Sequence, residues 1–190
     1  METKTTASGI SKKVLILPGS FSLISSYEGY QGIDIWLKNT KGSDLNNADW
    51  VIAHSAGVNY LFSKPIPGKQ KIILINPLVK KRNIFSIFFR DIYFFIDEGI
   101  SKCKIIPISN WLFAFIKIIK LLITVNVLEE LKKIPKENIF IIRGLKDNYF
   151  CDKENAELIR KEGFTLFEVE AKHNWNQSIS NKVQEIIGKY

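Results

Sequence analysis

Several residue types are scarce in this chain, and each scarcity excludes something. Only two cysteines occur in 190 residues, Cys103 and Cys151, far apart and in neither a metal-ligand nor a redox spacing. A small secreted domain held by disulfides would carry more, so the cysteine usage predicts a reducing, cytoplasmic setting. No secretory signal is expected, because residues 1–13 are polar and the first apolar run is four residues long. No stretch reaches the roughly 20 apolar residues of a membrane-spanning helix. The greasiest one, residues 111–125, is interrupted by Lys117 and Lys120. Zinc spacings, aromatic-plus-basic RNA motifs, internal repeats and low-complexity linkers are all missing. Nucleic acid is therefore not an expected partner, despite the net charge of +8.

What is present is core material. Hydrophobic residues make up 46% and charged residues 24%, a balance that predicts one globular domain over residues 1–190 rather than disorder. The lysines are scattered along the chain, so the positive charge sets solubility and long-range field first. A weak association with anionic membrane is the one partner it suggests besides a small substrate.

Short apolar runs alternate with helical patterns. Residues 13–17 (KVLIL), 50–53 (WVIA), 71–75 (KIILI), 138–142 (NIFII) and 164–169 (FTLFEV) read as strands, each ending abruptly. Runs apolar on both faces and separated by more than a dozen residues imply parallel strands with helical crossovers. The expected fold is α/β, a three-layer α/β/α sandwich around a mainly parallel sheet of five or six strands. Residues 33–37 (IDIWL) suit either a sixth strand or part of a helix. Helices are predicted over 55–62, over 152–162 with Asp152 as N-cap, and over 174–187 with Gly188 just past the end. Residues 80–133 form an apolar helical insert. Within it, Lys117, Lys120 and Thr124 draw one polar stripe along a helix expected to be buried on most sides. A flap over a substrate pocket, or a surface dipping into lipid, are the other readings of that helix.

Chemistry concentrates at strand ends. Ala53-His54-Ser55-Ala56-Gly57 follows a strand and opens a helix. A serine on such a turn is pushed clear of the backbone, and the turn demands small residues two before and two after it. The bland alternative is that Ser55 only caps its helix. A serine nucleophile needs a base. Of the two histidines, His54 is adjacent to Ser55 and points elsewhere, which leaves His173, after the last strand and at the start of the final helix. The base needs an acid. Asp147 follows the strand NIFII, and Asp152 is its rival, better suited to capping. Backbone donors for an oxyanion would be the N–H of Ala56 and that of Ser20, with Phe21 as second choice, in a loop that Gly19 frees to turn sharply.

These residues resemble the α/β-hydrolase family in order along nearly the whole chain: Pro18-Gly19-Ser20, then Ala53–Gly57, then Gly144-Leu145-Lys146-Asp147, then His173. The resemblance implies an α/β-hydrolase fold and a compact serine esterase. Three departures stand out: Ala53 replaces the usual first glycine of the elbow, Pro18 stands where many relatives have histidine, and only about 30 residues separate the loop at Gly19 from the elbow strand, which puts the strand count in doubt. The expected activity is cleavage of an acyl ester of a small apolar substrate by Ser55, His173 and Asp147, without metal or organic cofactor. Phe21, Phe88 and Trp111 are candidate substrate contacts. A hydrolase scaffold without chemistry, serving binding or regulation, and a peripheral membrane protein are the alternatives.

Overall fold

The computed structural model describes residues 12–40, 45–66, 68–99 and 105–190; Cys103 and most of the polar start lie outside them. The five runs read as strands form β1 (Val14–Leu17), β3 (Trp50–His54), β4 (Lys71–Ile75), β5 (Ile139–Gly144) and β6 (Thr165–Val169). A sixth, β2 (Gln31–Gly32), is two residues long. The order is β2-β1-β3-β4-β5-β6, every neighbouring pair parallel.

Alternation along the central strands feeds two cores. Val51, Ala53, Ile72, Leu74, Ile139 and Ile141 face one way. Trp50, Ile52, Ile73, Ile75, Phe140 and Ile142 face the other. Both faces need helices, and both have them. On the first side pack α1 (Ala56–Phe62), α3 (Trp111–Thr124), α4 (Val127–Leu131) and α5 (Lys153–Lys161); on the second packs α6 (Gln177–Lys189), through Ile179, Val183 and Ile186. This is the three-layer α/β arrangement, with six strands. β6 departs from the double-sided pattern, since as an edge strand it leaves Thr165 and Glu168 exposed.

The run at residues 33–37 is neither strand nor helix. Ile35 N–H donates to Ile33 O at 2.8 Å, so the chain turns as soon as β2 ends. The run is apolar because Ile33, Ile35 and Trp36 plug the core from a turn. The last helix begins at Gln177, later than expected, because Asn176 is its N-cap and accepts from Ile179 N at 3.1 Å. Gly188 therefore lies inside it, and His173 sits in the loop ahead of it rather than at its start.

Residues 80–133 hold α2 (Ile84–Asp97), α3 and α4. The expected burial of α3 on most sides does not occur. Ala114, Ile118 and Leu121 are buried, whereas Leu112, Phe115, Ile116 and Ile123 are exposed. The lysine stripe is not simply the wet face either. Lys117 turns inward, donating to Ile35 O at 2.7 Å with its ammonium 4.7 Å from the Tyr60 ring.

The chain leaves β1 for β2 on one side and returns to β3 on the other. In parallel sheets that reversal opens a crevice beyond the strands' C-terminal ends. The loops after β1, β3, β4, β5 and β6 meet there.

Candidate functional site

β3 ends at His54, and Ser55 then adopts φ 52° and ψ −124° before α1 begins. A positive φ in a residue with a Cβ is strained backbone, and it is held here from outside. Ser55 N–H donates to Ile75 O and Ser55 O accepts from Val58 N, both at 2.9 Å. The helix passes so close to the β1 loop that a Cβ at Gly57 would lie 2.7 Å from Leu17 O and 2.8 Å from Pro18 O. That contact is the physical reason for a glycine two residues after the serine. Ser55 makes no side-chain cap bond to its helix. Its Oγ lies instead 2.9 Å from His173 Nε2.

His173 is fixed through its backbone and its ring. Its N–H donates to both carboxylate oxygens of Glu98, each at 3.1 Å. Its carbonyl accepts from Asn76 Nδ2 at 2.7 Å and from His54 Nε2 at 3.0 Å. Its Nδ1 lies 2.7 Å from Asp147 Oδ2, and the ring packs against Phe94 and Phe150. Since the carboxylate can only accept, Nδ1 carries the proton. Nε2 is then the acceptor turned toward the Ser55 hydroxyl.

Asp147 is fully buried in the turn after β5. Burial pushes its carboxyl up, but the adjacent His173 and the N–H groups of Phe150 and Cys151 outweigh that and bring it down to about 2. Tyr149 N–H donates to it as well, at 3.0 Å. Asp152 is elsewhere. It caps α5 through Asn155 N at 3.1 Å and pairs with Arg82 at 2.6 Å and Arg90 at 3.0 Å.

His54 points into the sheet side of the site. A carbonyl accepts only, so its Nε2 carries the proton donated to His173 O, and its Nδ1 accepts from Tyr27 Oη at 2.7 Å. Tyr27 Oη in turn accepts from Gly19 N–H at 2.8 Å. This buried line joins the β1 loop to the loop bearing His173. Burial first, and next the nearness of the second imidazole, His173, hold the His54 imidazole down to about 3, so it stays neutral.

The β1 loop differs from expectation in one respect. Gly19 has an ordinary φ, and the left-handed residue is Phe21, with φ 58°. Glycine at 19 is a matter of space, since a Cβ there would stand 3.0 Å from His54 Nδ1.

Ser20, Phe21 and Ala56 border, with Ser55 and His173, a cavity of about 310 Å³. Phe88 and Trp111 form part of its wall, and Phe21 and Trp111 approach to 5.8 Å between ring centroids. Asn59, on α1, also borders it, buried and with no hydrogen-bond partner for Oδ1 among the described residues. Of the positions reasoned from sequence, Ser20, Phe21, Ser55, Ala56, Phe88, Trp111 and His173 border one cavity, Asp147 lies buried behind His173, and Asp152 lies apart. Sequence reasoning missed Tyr27, Asn76 and Glu98. Asn76-Pro77 ends a strand on the same edge and could have been found by that placement. Tyr27 and Glu98 carry no local signal, because their partners are distant along the chain.

A scan against protein-family models and a search of curated proteins each found no match. Among solved structures, the chain is similar to one from work on carboxylesterases of the ammonia-oxidizing Thaumarchaeon Nitrososphaera gargenis. The TM-score is 0.56 at 13% identity, over 93% of this chain and 89% of that one. The chain shares its fold with that structure. At such identity the likeness concerns the fold alone. Chemically, a hydroxyl facing an unprotonated imidazole nitrogen, whose other nitrogen is held by a buried carboxylate, can give up its proton as it attacks an electrophile.

Proposed function

We propose that this protein is a serine hydrolase that cleaves an acyl ester, or a related acyl bond, of a small apolar substrate. Ser55 Oγ attacks the acyl carbonyl while His173 Nε2 takes its proton. Asp147 holds Nδ1–H and stabilises the imidazolium that results. The N–H groups of Ala56 and of Ser20 or Phe21 receive the developing oxyanion. Collapse of the tetrahedral adduct breaks the bond to the leaving group, which departs with the proton from His173. Water, deprotonated by the same nitrogen, then releases the acid and restores Ser55.

The observation that carries this reading is the continuous chain Ser55 Oγ–His173 Nε2 at 2.9 Å and His173 Nδ1–Asp147 Oδ2 at 2.7 Å, ending at a strained serine on a cavity wall. The apolar lining from Phe21, Phe88 and Trp111 supports an apolar acyl group. The test is labelling by a fluorophosphonate probe. The purified protein should label and Ser55→Ala should not. A folded wild-type protein that fails to label would remove the proposal and favour a scaffold without chemistry.

A further inference from the structure

The faces that α2 and α3 turn outward are apolar. On α2 the exposed residues include Phe85, Phe89, Tyr93 and Ile96, spaced three and four apart along one side. On α3 they include Leu112, Ile116 and Ile123, and Ile108 just ahead of the helix is 82% exposed. Contiguous apolar surface of this kind marks a contact with something. The same surface runs into the cavity, because Phe88, Ile92, Trp111 and Phe115 are at once exposed and part of its wall. Whatever covers these helices therefore covers the mouth of the pocket.

Charge selects the occupant. Residues 80–126 carry eight Lys and Arg against three Asp and Glu. Among the described ones Lys80 pairs with Glu154, Arg82 and Arg90 pair with Asp152, and Lys117 turns inward, so the charge of the outer face rests on Lys81 and Lys120. Lys120 lies on the outer side of α3 between Ile116 and Ile123, and Lys81 is exposed just ahead of α2. Of the three acids, Asp97 is bonded to Tyr149 and Lys172, and Glu98 to the backbone at His173 and Asn174. Two copies meeting through this face would bring like charges together. An anionic bilayer would not, and exposed aromatic and aliphatic residues interspersed with lysine are the chemistry of a helix lying in a membrane interface. α2 is also tied to the site beneath it, through Arg90 to Asn148 O and Tyr149 O and through Glu98 to His173 N.

We propose that the outer faces of α2 and α3 dock on an anionic lipid surface, presenting the mouth of the pocket to the acyl chains there. The docking stands on these observations alone, and the use of lipid acyl groups as substrate rests on the hydrolase reading.

The experiment is co-sedimentation of the full chain with phosphatidylcholine vesicles, with and without phosphatidylglycerol, at low salt and at about 1 M, where the Debye length is roughly 3 Å. Binding should require phosphatidylglycerol and fall at least about tenfold in high salt, each surface lysine contributing about fivefold. Ser55→Ala should bind as wild type does. The double variant Phe89→Ser, Ile116→Ser changes two exposed residues outside the cavity wall. It should lose binding about tenfold or more while keeping fluorophosphonate labelling at the wild-type rate. No binding to either vesicle, or a self-association that the double variant abolishes, overturns the docking. For the substrate, a long-chain nitrophenyl ester embedded in vesicles is compared with nitrophenyl acetate in solution. The double variant should slow only the first. Equal rates of wild type and variant on both esters would overturn the substrate assignment. Vesicle binding without labelling or ester cleavage would instead remove the hydrolase reading and leave the docking standing.

Discussion

The floor and the roof of the cavity are built on opposite terms. At the floor, on the sheet edge, the polar side chains around Ser55 are tied to others. Asp147 accepts from three backbone N–H groups besides His173, and His173 is held by Glu98, Asn76 and His54. The roof, α2 and α3, turns large apolar side chains to solvent and, among the described residues, buries Ile87 of α2 and a narrow stripe of α3 at Ala114, Ile118 and Leu121. The difference teaches where geometry comes from. Precise placement of polar atoms needs rigid strands and satisfied hydrogen bonds, because a buried unpaired group costs more than the pair gains. A covering surface needs only area and shape.

The sharpest way to break this comparison is at Ser55, His173 and Asp147, which the proposed function makes the reacting residues. Ser55→Ala and His173→Ala should each lower kcat/KM by about 10³-fold or more, and Asp147→Asn by roughly 10⁴-fold, with folding retained. If Asp152→Asn did this and Asp147→Asn did not, the acid would have to be reassigned.

Next in size is an acid limb of stability from His54. Unfolded, it takes up a proton below 6.5, whereas folded it stays neutral down to about 3. Its contribution is thus fully present above pH 6.5 and is lost progressively as pH falls toward 3, on the order of 5 kcal/mol over the whole interval. Urea midpoints measured from pH 7 to 4 should fall in wild type and fall less in His54→Gln. Parallel slopes would mean that some other group drives the acid limb.

Smaller effects separate the inner stripe of α3 from its outer face. Ile118→Ala should destabilise by about 2–4 kcal/mol, as truncation in a core does. Asp152→Asn keeps a competent cap but takes the nearest carboxylate from Arg82, whose side chain is 7% exposed, and should cost about 1–3 kcal/mol of stability without altering the chemical step. Leu112→Ser, on the outer face, should change stability by less than about 0.5 kcal/mol. A loss of several kcal/mol there would show that the roof's outer face is packed in solution and contradict its exposure.

Much of the floor could be read in the sequence, and little of the roof. Strands β3, β4 and β5 announce themselves because a run apolar on both faces has few other uses at that length. The turn at Ser55 is legible because its neighbours must be small whatever surrounds them. The run at residues 33–37 misleads, since side chains that plug a core from a turn look like those of a strand. Along α3, the lysine stripe suggests a wet face. A lysine long enough to reach a carbonyl, as Lys117 reaches Ile35 O, obeys a partner 82 residues away in the chain rather than the helical period.

By itself the sequence determined the local quantities: where strands stop, which residues can follow a strand into a strained turn, which loops carry an aspartate, a histidine and a serine, and that aromatic residues crowd the segment between β4 and β5. These follow from backbone sterics and from the period of apolar residues, and both act over a few positions. Only the tertiary structure decided that Asp147 rather than Asp152 lies against His173, that Tyr27, Asn76 and Glu98 hold the site's loops, and that the apolar helices face outward. Each of those depends on distances between segments far apart in the chain. Such distances are set by how helices fill the two faces of a twisted parallel sheet.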